Sequence, residues 1–345
     1  SVSGKVSQLA MGQVFAQDPN YVFKTLDAIG KVTPEQVKAA YDKFIAGKPA
    51  VVLSVVPKGK TEWQVATPNF TPAKRELPDY SKHDEALAER PVKDNFDRSV
   101  QPKASEAVSV KVPAIWHGKL DKNIEIIGTK SDEIPAVSIM IALPGGIRAE
   151  DKGQLGLANL TAAMMGQGTV RLTEAQLSDE LQKLGSSIDV SSAQYNNLIT
   201  VSSLADKLPQ TLALVREVLE RPGMREADFE RVKAQLLQGM QQAQQQPEWL
   251  AGQAFRELVY GKQNRLGQPS DGVPADVAKL TLADVKHFYQ AYYNPTNAKV
   301  VVVGDVGQKQ IEEQLGFLTE WKGATPTLGD LKLKGEQAKP GIYLV

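Results

Sequence analysis

Histidine and cysteine are the side chains that most readily hold a transition metal, or act as base and nucleophile, near neutral pH. This sequence has no cysteine and three histidines, His83, His117 and His287. A zinc site needs three or four convergent donors, and no two of these histidines share the short spacing of a ligand pair. Each reads as a surface or packing residue. The missing cysteines exclude disulfides, thiolate nucleophiles and cysteine-ligated zinc together, and suit an oxidising compartment. No Gly-x-Ser-x-Gly elbow, phosphate loop or dinucleotide fingerprint occurs. Pro144-Gly145-Gly146 is a turn signal, because a phosphate cradle there would continue into Lys-Ser/Thr.

The elements that would have to position any site are easier to read. At 345 residues the chain can bury more than one core. Its 42% hydrophobic content is ordinary for a globular protein. Forty basic residues balance forty acidic ones, which removes bulk attraction to nucleic acid or an anionic membrane. No apolar run has the length of a membrane-spanning helix, and no signal peptide opens the chain. Residues 1–30 read as helical, Gly4–Val14 and Pro19–Ile29, with no opening strand, as expected of a piece of something longer.

A repeat links the two ends of the chain. Lys31–Val55 aligns without gaps on Lys279–Val303, matching Thr33 with Thr281, Val37-Lys38 with Val285-Lys286, Tyr41 with Tyr289 and Ala50 with Ala298. Each copy starts at an N-cap threonine, continues as an amphipathic helix and turns into a β-branched run, Val51–Val56 and Val300–Val303, expected to be a buried strand. Between the copies, residues 57–113 hold seven of the twenty prolines among mixed charges, which predicts an extended linker.

Beyond the linker the periodicity predicts strands at Asn123–Thr129 and Ala136–Leu143, and a hairpin of 186–192 with 198–204. Helices are expected at Leu155–Gly166, Thr173–Leu184, Lys207–Arg221, Arg225–Gln246, Glu248–Tyr260 and Thr281–Tyr292, with a strand at Lys299–Val303. This alternation predicts an α+β domain, an antiparallel sheet with helices packed on one face.

Residues 143–169, LPGGIRAEDKGQLGLANLTAAMMGQGT, resemble the catalytic signature of the pitrilysin/insulinase zinc peptidases. That signature has a strand ending in Gly-Ser-Arg-x-Glu, then Gly-Leu-Ala-His-x-x-Glu-His-Met and a nearby Gly-Thr. Gly146, Arg148 and Glu150 match its first element, Gly156-Leu157-Ala158 and Met164 its helix, and Gly168-Thr169 its end. Tyr-Tyr-Asn-Pro-Thr-Asn-Ala at 292–298 adds to the likeness. In the family, two histidines and a glutamate at i, i+4 and i+3 of a helix bind zinc and activate its water. Here those positions hold Asn159, Ala163 and Ala162, and Gln238 or Gly239 stands where a later helix supplies the third ligand.

The resemblance implies the non-catalytic half of a tandem zinc metalloendopeptidase, with no metal or cofactor in this stretch and zinc in a catalytic half encoded ahead of Ser1. Residues 1–57 are then the end of a preceding related domain, 58–112 its linker, 113–325 a domain with a degenerate zinc motif, and 326–345 the connection to a further domain, with 341–345 its first strand. The expected partners are the catalytic half and a peptide substrate, with no nucleic acid and no membrane span. The expected compartment is the periplasm or cell envelope, with the cytoplasm left open. The alternative is an inactive scaffold or peptide-binding subunit of a processing-peptidase-like pair. Met164 and Met165 are expected as core fillers, and the Gln238–Gln246 run as a solvated helix face.

Overall fold

A computed structural model describes residues 2–65, 113–121 and 123–321, together with 70, 97, 99–101, 323, 325–328, 339 and 341–344. His83 and most of the expected linker lie outside the described residues. By its internal contacts the chain divides into two units, Ser1–Gln101 and Pro102–Val345.

In the first unit, α1 (Val2–Ala16), α2 (Tyr21–Gly30) and α3 (Pro34–Phe44) follow one another. Pro34 at the first helical position and a reciprocal capping box between Thr33 and Gln36 set the start of α3. The strand expected at Val51–Val56 does not form. Among the described residues nothing pairs with it, and a strand exists only through its neighbours. Val51, Val52, Leu53 and Val55 are instead 75–100% exposed. Likewise no strand forms at 341–344, where Ile342 and Leu344 stand in solvent.

The second unit opens with β1 (Ile115–Leu120), β2 (Ile124–Lys130) and β3 (Ala136–Pro144), followed by α4 (Leu157–Met165) and α5 (Glu174–Lys183). The hairpin β4 (Ser187–Ser192) and β5 (Asn196–Leu204) comes next, then α6 (Leu208–Glu220), α7 (Glu226–Ala243), α8 (Pro247–Tyr260), the short α9 (Pro274–Val277) and α10 (Leu282–Tyr292). β6 (Lys299–Gly304), α11 (Gln308–Gln314) and α12 (Phe317–Glu320) complete it. The second repeat copy has the same start as the first: Thr281 and Asp284 form the capping box of α10, as Thr33 and Gln36 do for α3.

One sheet runs β1-β2-β6-β3-β5-β4. It is antiparallel except between β2 and β6, which run parallel, so the expected all-antiparallel sheet is in fact mixed. β6 arrives from a helix rather than from a hairpin, and a parallel neighbour requires such a crossover. Period-two alternation buries one face. Two cross-strand rows form its floor: Ile126, Val300, Ile141, Ile199 and Val190, then Gly128, Val302, Ile139, Val201 and Ile188. The helices cover this face, and their apolar stripes (Leu212, Val215 and Leu219 of α6; Val285 and Phe288 of α10) join the strands in a single core.

Candidate functional site

The degenerate motif folds into a tight knot at the N-terminus of α4. Gly156 caps that helix with φ of 106°, and a Cβ there would meet the Val277 side chain and the Asp271 carbonyl, so only glycine fits. The backbone N–H groups of Gly156 and Ala158 donate to Glu150 Oε1 at 3.0 and 2.9 Å. A carboxylate at this end of a helix satisfies donors that have no partner within the helix and complements its dipole. Glu150 Oε2 accepts from Arg265 Nη2 at 2.7 Å and Nε at 3.0 Å, with the two side chains 0% and 10% exposed. Burial pushes the Glu150 carboxyl up from its ordinary value, while Arg265 and the two N–H groups pull against it. Arg265 also donates to the carbonyls of Pro269 (2.9 Å), Ser270 (3.3 Å) and Ile147 (3.3 Å), tying the end of β3 to the loop before α9.

The end of the motif is another hub. Thr169 is fully buried. Its Oγ1 donates to Glu217 at 2.8 Å and accepts from the N–H groups of Arg171 and Leu172. Arg171 grips Glu217 with two nitrogens, at 2.7 and 3.1 Å, which holds the Glu217 carboxyl below its ordinary range. Arg225 donates to the carbonyls of Gln167, Thr169 and Leu172. Met164 and Met165 are fully buried in the core, and the run at 238–246 is mostly exposed.

The positions that would carry chemistry behave differently. Asn159 is half-buried and donates its amide to Ser270 O at 2.9 Å; Ala162 faces the core and Ala163 solvent. On α7, Gln238 and Gly239 are exposed, and Gly239 borders a cleft of about 230 Å³ with Leu236, Met240, Trp249 and Asp271. The loop 269–272 therefore touches both vacated places. One amide, two methyls and a glutamine or glycine offer neither imidazole nor carboxylate, so these residues do not fit zinc and cannot take a proton from its water. His117 on β1 and His287 on α10 are both exposed, and among the described residues no three His, Asp or Glu side chains converge as a metal set.

Three features had no signal in the sequence. Arg265, the partner of Glu150, lies far along the chain. Tyr195, in the two-residue turn of the β4–β5 hairpin, has the Arg148 guanidinium over its ring at 5.5 Å. A cleft of about 250 Å³ opens beside β4, lined by Met165, Leu177, Leu181, Ile188, Val190 and Val218, with Ser178 and Gln182 also at its wall.

Comparison with known proteins bears on the family and the fold. Residues 126–269 match the family model described as "Insulinase (Peptidase family M16)", and residues 279–341 match "Peptidase M16 inactive domain", together more than half of the chain. A Helicobacter pylori protein named "Non-peptidase homolog YmxG" is 24% identical over 62% of this chain and 51% of its own length. "Probable zinc protease PqqL" of Escherichia coli is 25% identical over 60% of this chain and 23% of its own length. Among solved structures, a peptidase M16 inactive domain from Pseudomonas fluorescens has a TM-score of 0.59 at 22% identity, covering 63% of this chain and 53% of that one. The first half of the periplasmic protease PqqL gives 0.58 at 20% identity, covering 64% and 49%. The chain spans from about a quarter to half of the length of these curated relatives. With both models in succession along a fold shared with M16 structures, the chain belongs to the insulinase/pitrilysin family of peptidases.

Proposed function

We propose that residues 113–325 are the non-catalytic domain of a two-halved zinc metalloendopeptidase, and that this domain encloses and positions an extended peptide opposite the catalytic half. One observation carries the reading. The motif residues that build the fold are present and buried (Glu150, Gly156, Ala158, Met164, Thr169), whereas those that would bind metal are replaced. Residues 1–57 are then the end of a preceding related domain, 58–112 the linker and 326–345 the way into a further one. The zinc belongs to the catalytic half of the same protein, which is this domain's partner. The periplasm is the proposed compartment, in keeping with the periplasmic PqqL structure.

The free edge of β4 gives the peptide a place. β4 ends the sheet, so among the described residues no strand pairs with its outer side, and its backbone groups there suit an added strand. A second reading, an inactive scaffold or peptide-binding subunit of a processing-peptidase-like pair, draws support from the relative named a non-peptidase homolog and from relatives named mitochondrial-processing peptidase subunit beta. The coding sequence ahead of the codon for Ser1 separates the two. A His-x-x-Glu-His there supports the peptidase; its absence, with no chelator-sensitive cleavage by the whole protein, moves the assignment to the scaffold.

A further inference from the structure

The edge of β4 is more than an unpaired strand. Ala193 N donates to Asn196 O, closing the two-residue turn, and this fixes which β4 residues pair inward. In an antiparallel ladder hydrogen-bonded and non-hydrogen-bonded pairs alternate. Ser191, Asp189 and Ser187 therefore bond to β5, and Ser192, Val190 and Ile188 turn their N–H and C=O outward. The side chains of Val190 and Ile188 are the last members of the two buried rows that cross the sheet. The cleft of about 250 Å³, where aliphatic Leu177, Leu181 and Val218 meet polar Glu174, Ser178 and Gln182, opens where those rows stop. A strand added at this edge would set alternate side chains beside Val190 and Ile188, over the cleft.

The same edge ends at an arginine without a carboxylate partner. The chain leaving β3 crosses the hairpin tip through Gly145 N to Tyr195 O (3.1 Å), Ile147 N to Ala193 O (3.0 Å) and Arg148 N to Gln194 O (3.2 Å). Arg148 is thereby fixed at the far end of β4, its guanidinium over the Tyr195 ring. Its Nε is buried with no acceptor, and among the described residues no carboxylate pairs with it. Arg265, Arg225 and Arg216, also at least partly buried, each reach one. A guanidinium with one buried, unsatisfied N–H gains from an acceptor that reaches it, and a stacked one is already oriented to receive it.

We propose that β4, its cleft and Arg148 form one subsite for an extended peptide, with alternate aliphatic side chains entering the cleft and a carboxylate further along the peptide held by Arg148. Strand rise is about 3.3 Å per residue, so a carboxylate some two to four residues beyond the one beside Val190 reaches the hairpin tip. This deepens the peptide-positioning reading above and rests on it.

Fluorescence anisotropy on the full chain tests the subsite. The probes are labelled short peptides with leucines at alternate positions of a serine–threonine background: one with a free C-terminal carboxylate, one amidated, one amidated with an internal glutamate, and one acid form with serine for leucine. The acid-bearing leucine peptides should bind about tenfold more tightly than the neutral amide, the size of a lost charge-assisted hydrogen bond. Preference for the C-terminal acid over the internal glutamate, or the reverse, identifies which carboxylate Arg148 takes. Arg148→Gln should erase the difference between acid and amide, and Ser178→Trp, which roofs the cleft from its wall, should erase the preference for leucine over serine. Val190→Pro removes one outward N–H and should weaken every peptide; circular dichroism checks that each variant is folded. Equal binding of acid and amide by the unaltered chain, or a difference that survives Arg148→Gln, overturns the carboxylate subsite, and the positioning reading stands if Val190→Pro still weakens binding. If no peptide binds, both fall.

Discussion

Residues that persist from a catalytic signature without its chemistry should be those that hold the fold. Glu150 offers the sharpest test. Replacing it by alanine strips the acceptor from two N–H groups of α4 and leaves Arg265 buried without its countercharge. Breaking such a pair costs about 3–5 kcal/mol, so Glu150→Ala should lower unfolding stability by that order in denaturant titration. A loss under about 1 kcal/mol would show the knot to be ornamental. Glu217 makes a pH-dependent case. Its carboxyl is held below the ordinary 4.5, first by the hydrogen bonds from Arg171, with burial opposing. A depressed acid stabilises the fold above its unfolded value, and that contribution drains away as pH falls through the folded value. The stability gap between the native chain and Glu217→Gln should therefore be constant above about pH 5 and shrink below 4.5; a gap that holds unchanged to about pH 2 would contradict the linkage. Asn159 and Ala163 allow a gain of function. Both sit at i and i+4 with access to solvent. Asn159→His and Ala163→His together with Gln238→Glu, which supply three donors, should retain about one zinc per chain after desalting, where the native chain retains none. Equal metal content in both would mean that α4 and α7 do not present the three positions together.

At the scale of elements, local signals are legible in one sequence and long-range ones are not. α4, expected at Leu155–Gly166, runs Leu157–Met165, and α5, expected at Thr173–Leu184, runs Glu174–Lys183 behind its Thr173 cap. Apolar spacing and caps act within a few residues, which is why they show. β1 escapes the pattern because its inward side is only half-buried (Trp116, Gly118, Leu120), which blurs the alternation. The parallel β2–β6 pair, the Glu150–Arg265 bridge and the Arg148–Tyr195 stack join distant segments, and no local pattern encodes them. Asn159, Ala162 and Ala163, the positions that the resemblance assigns to metal and base, come from the motif's spacing; the β4 cleft, made by three helices and a strand, has no such local pattern. The repeat is half legible. α3 and α10 start alike, but β6 lies between two strands while Val51–Val55 has none among the described residues. A β-forming sequence left exposed invites pairing with another chain. The full chain should therefore associate with rising concentration in sedimentation velocity, and Leu53→Lys with Val55→Lys should suppress it. Association that ignores both lysines would place the sticky surface elsewhere.

At the scale of the whole molecule, the proposed peptidase reading divides the labour between a half that does the chemistry and this domain. Hydrolysis needs a polarised water, a base and a stabilised oxyanion, and zinc supplies much of this. Asn159, Ala162, Ala163 and Gln238 supply neither the polarised water nor the base. What a sheet with an open edge can supply is placement, since holding an extended peptide in register converts an encounter into an intramolecular step and removes several kcal/mol from the barrier. Three proteins on one fluorogenic peptide test the division of labour: the whole parent, the parent lacking residues 113–325, and the present chain. On the peptidase reading the parent cleaves and a chelator stops it, because the metal lies in the other half. The shortened parent should keep its zinc yet lose most of its kcat/KM, with the loss concentrated on long peptides that can reach β4. The present chain should leave the peptide intact with or without added zinc. Chelator-sensitive turnover by this chain alone would sink the non-catalytic assignment. An undiminished shortened parent would remove peptide placement from the role of this domain, and a parent that never cleaves would leave it as a scaffold.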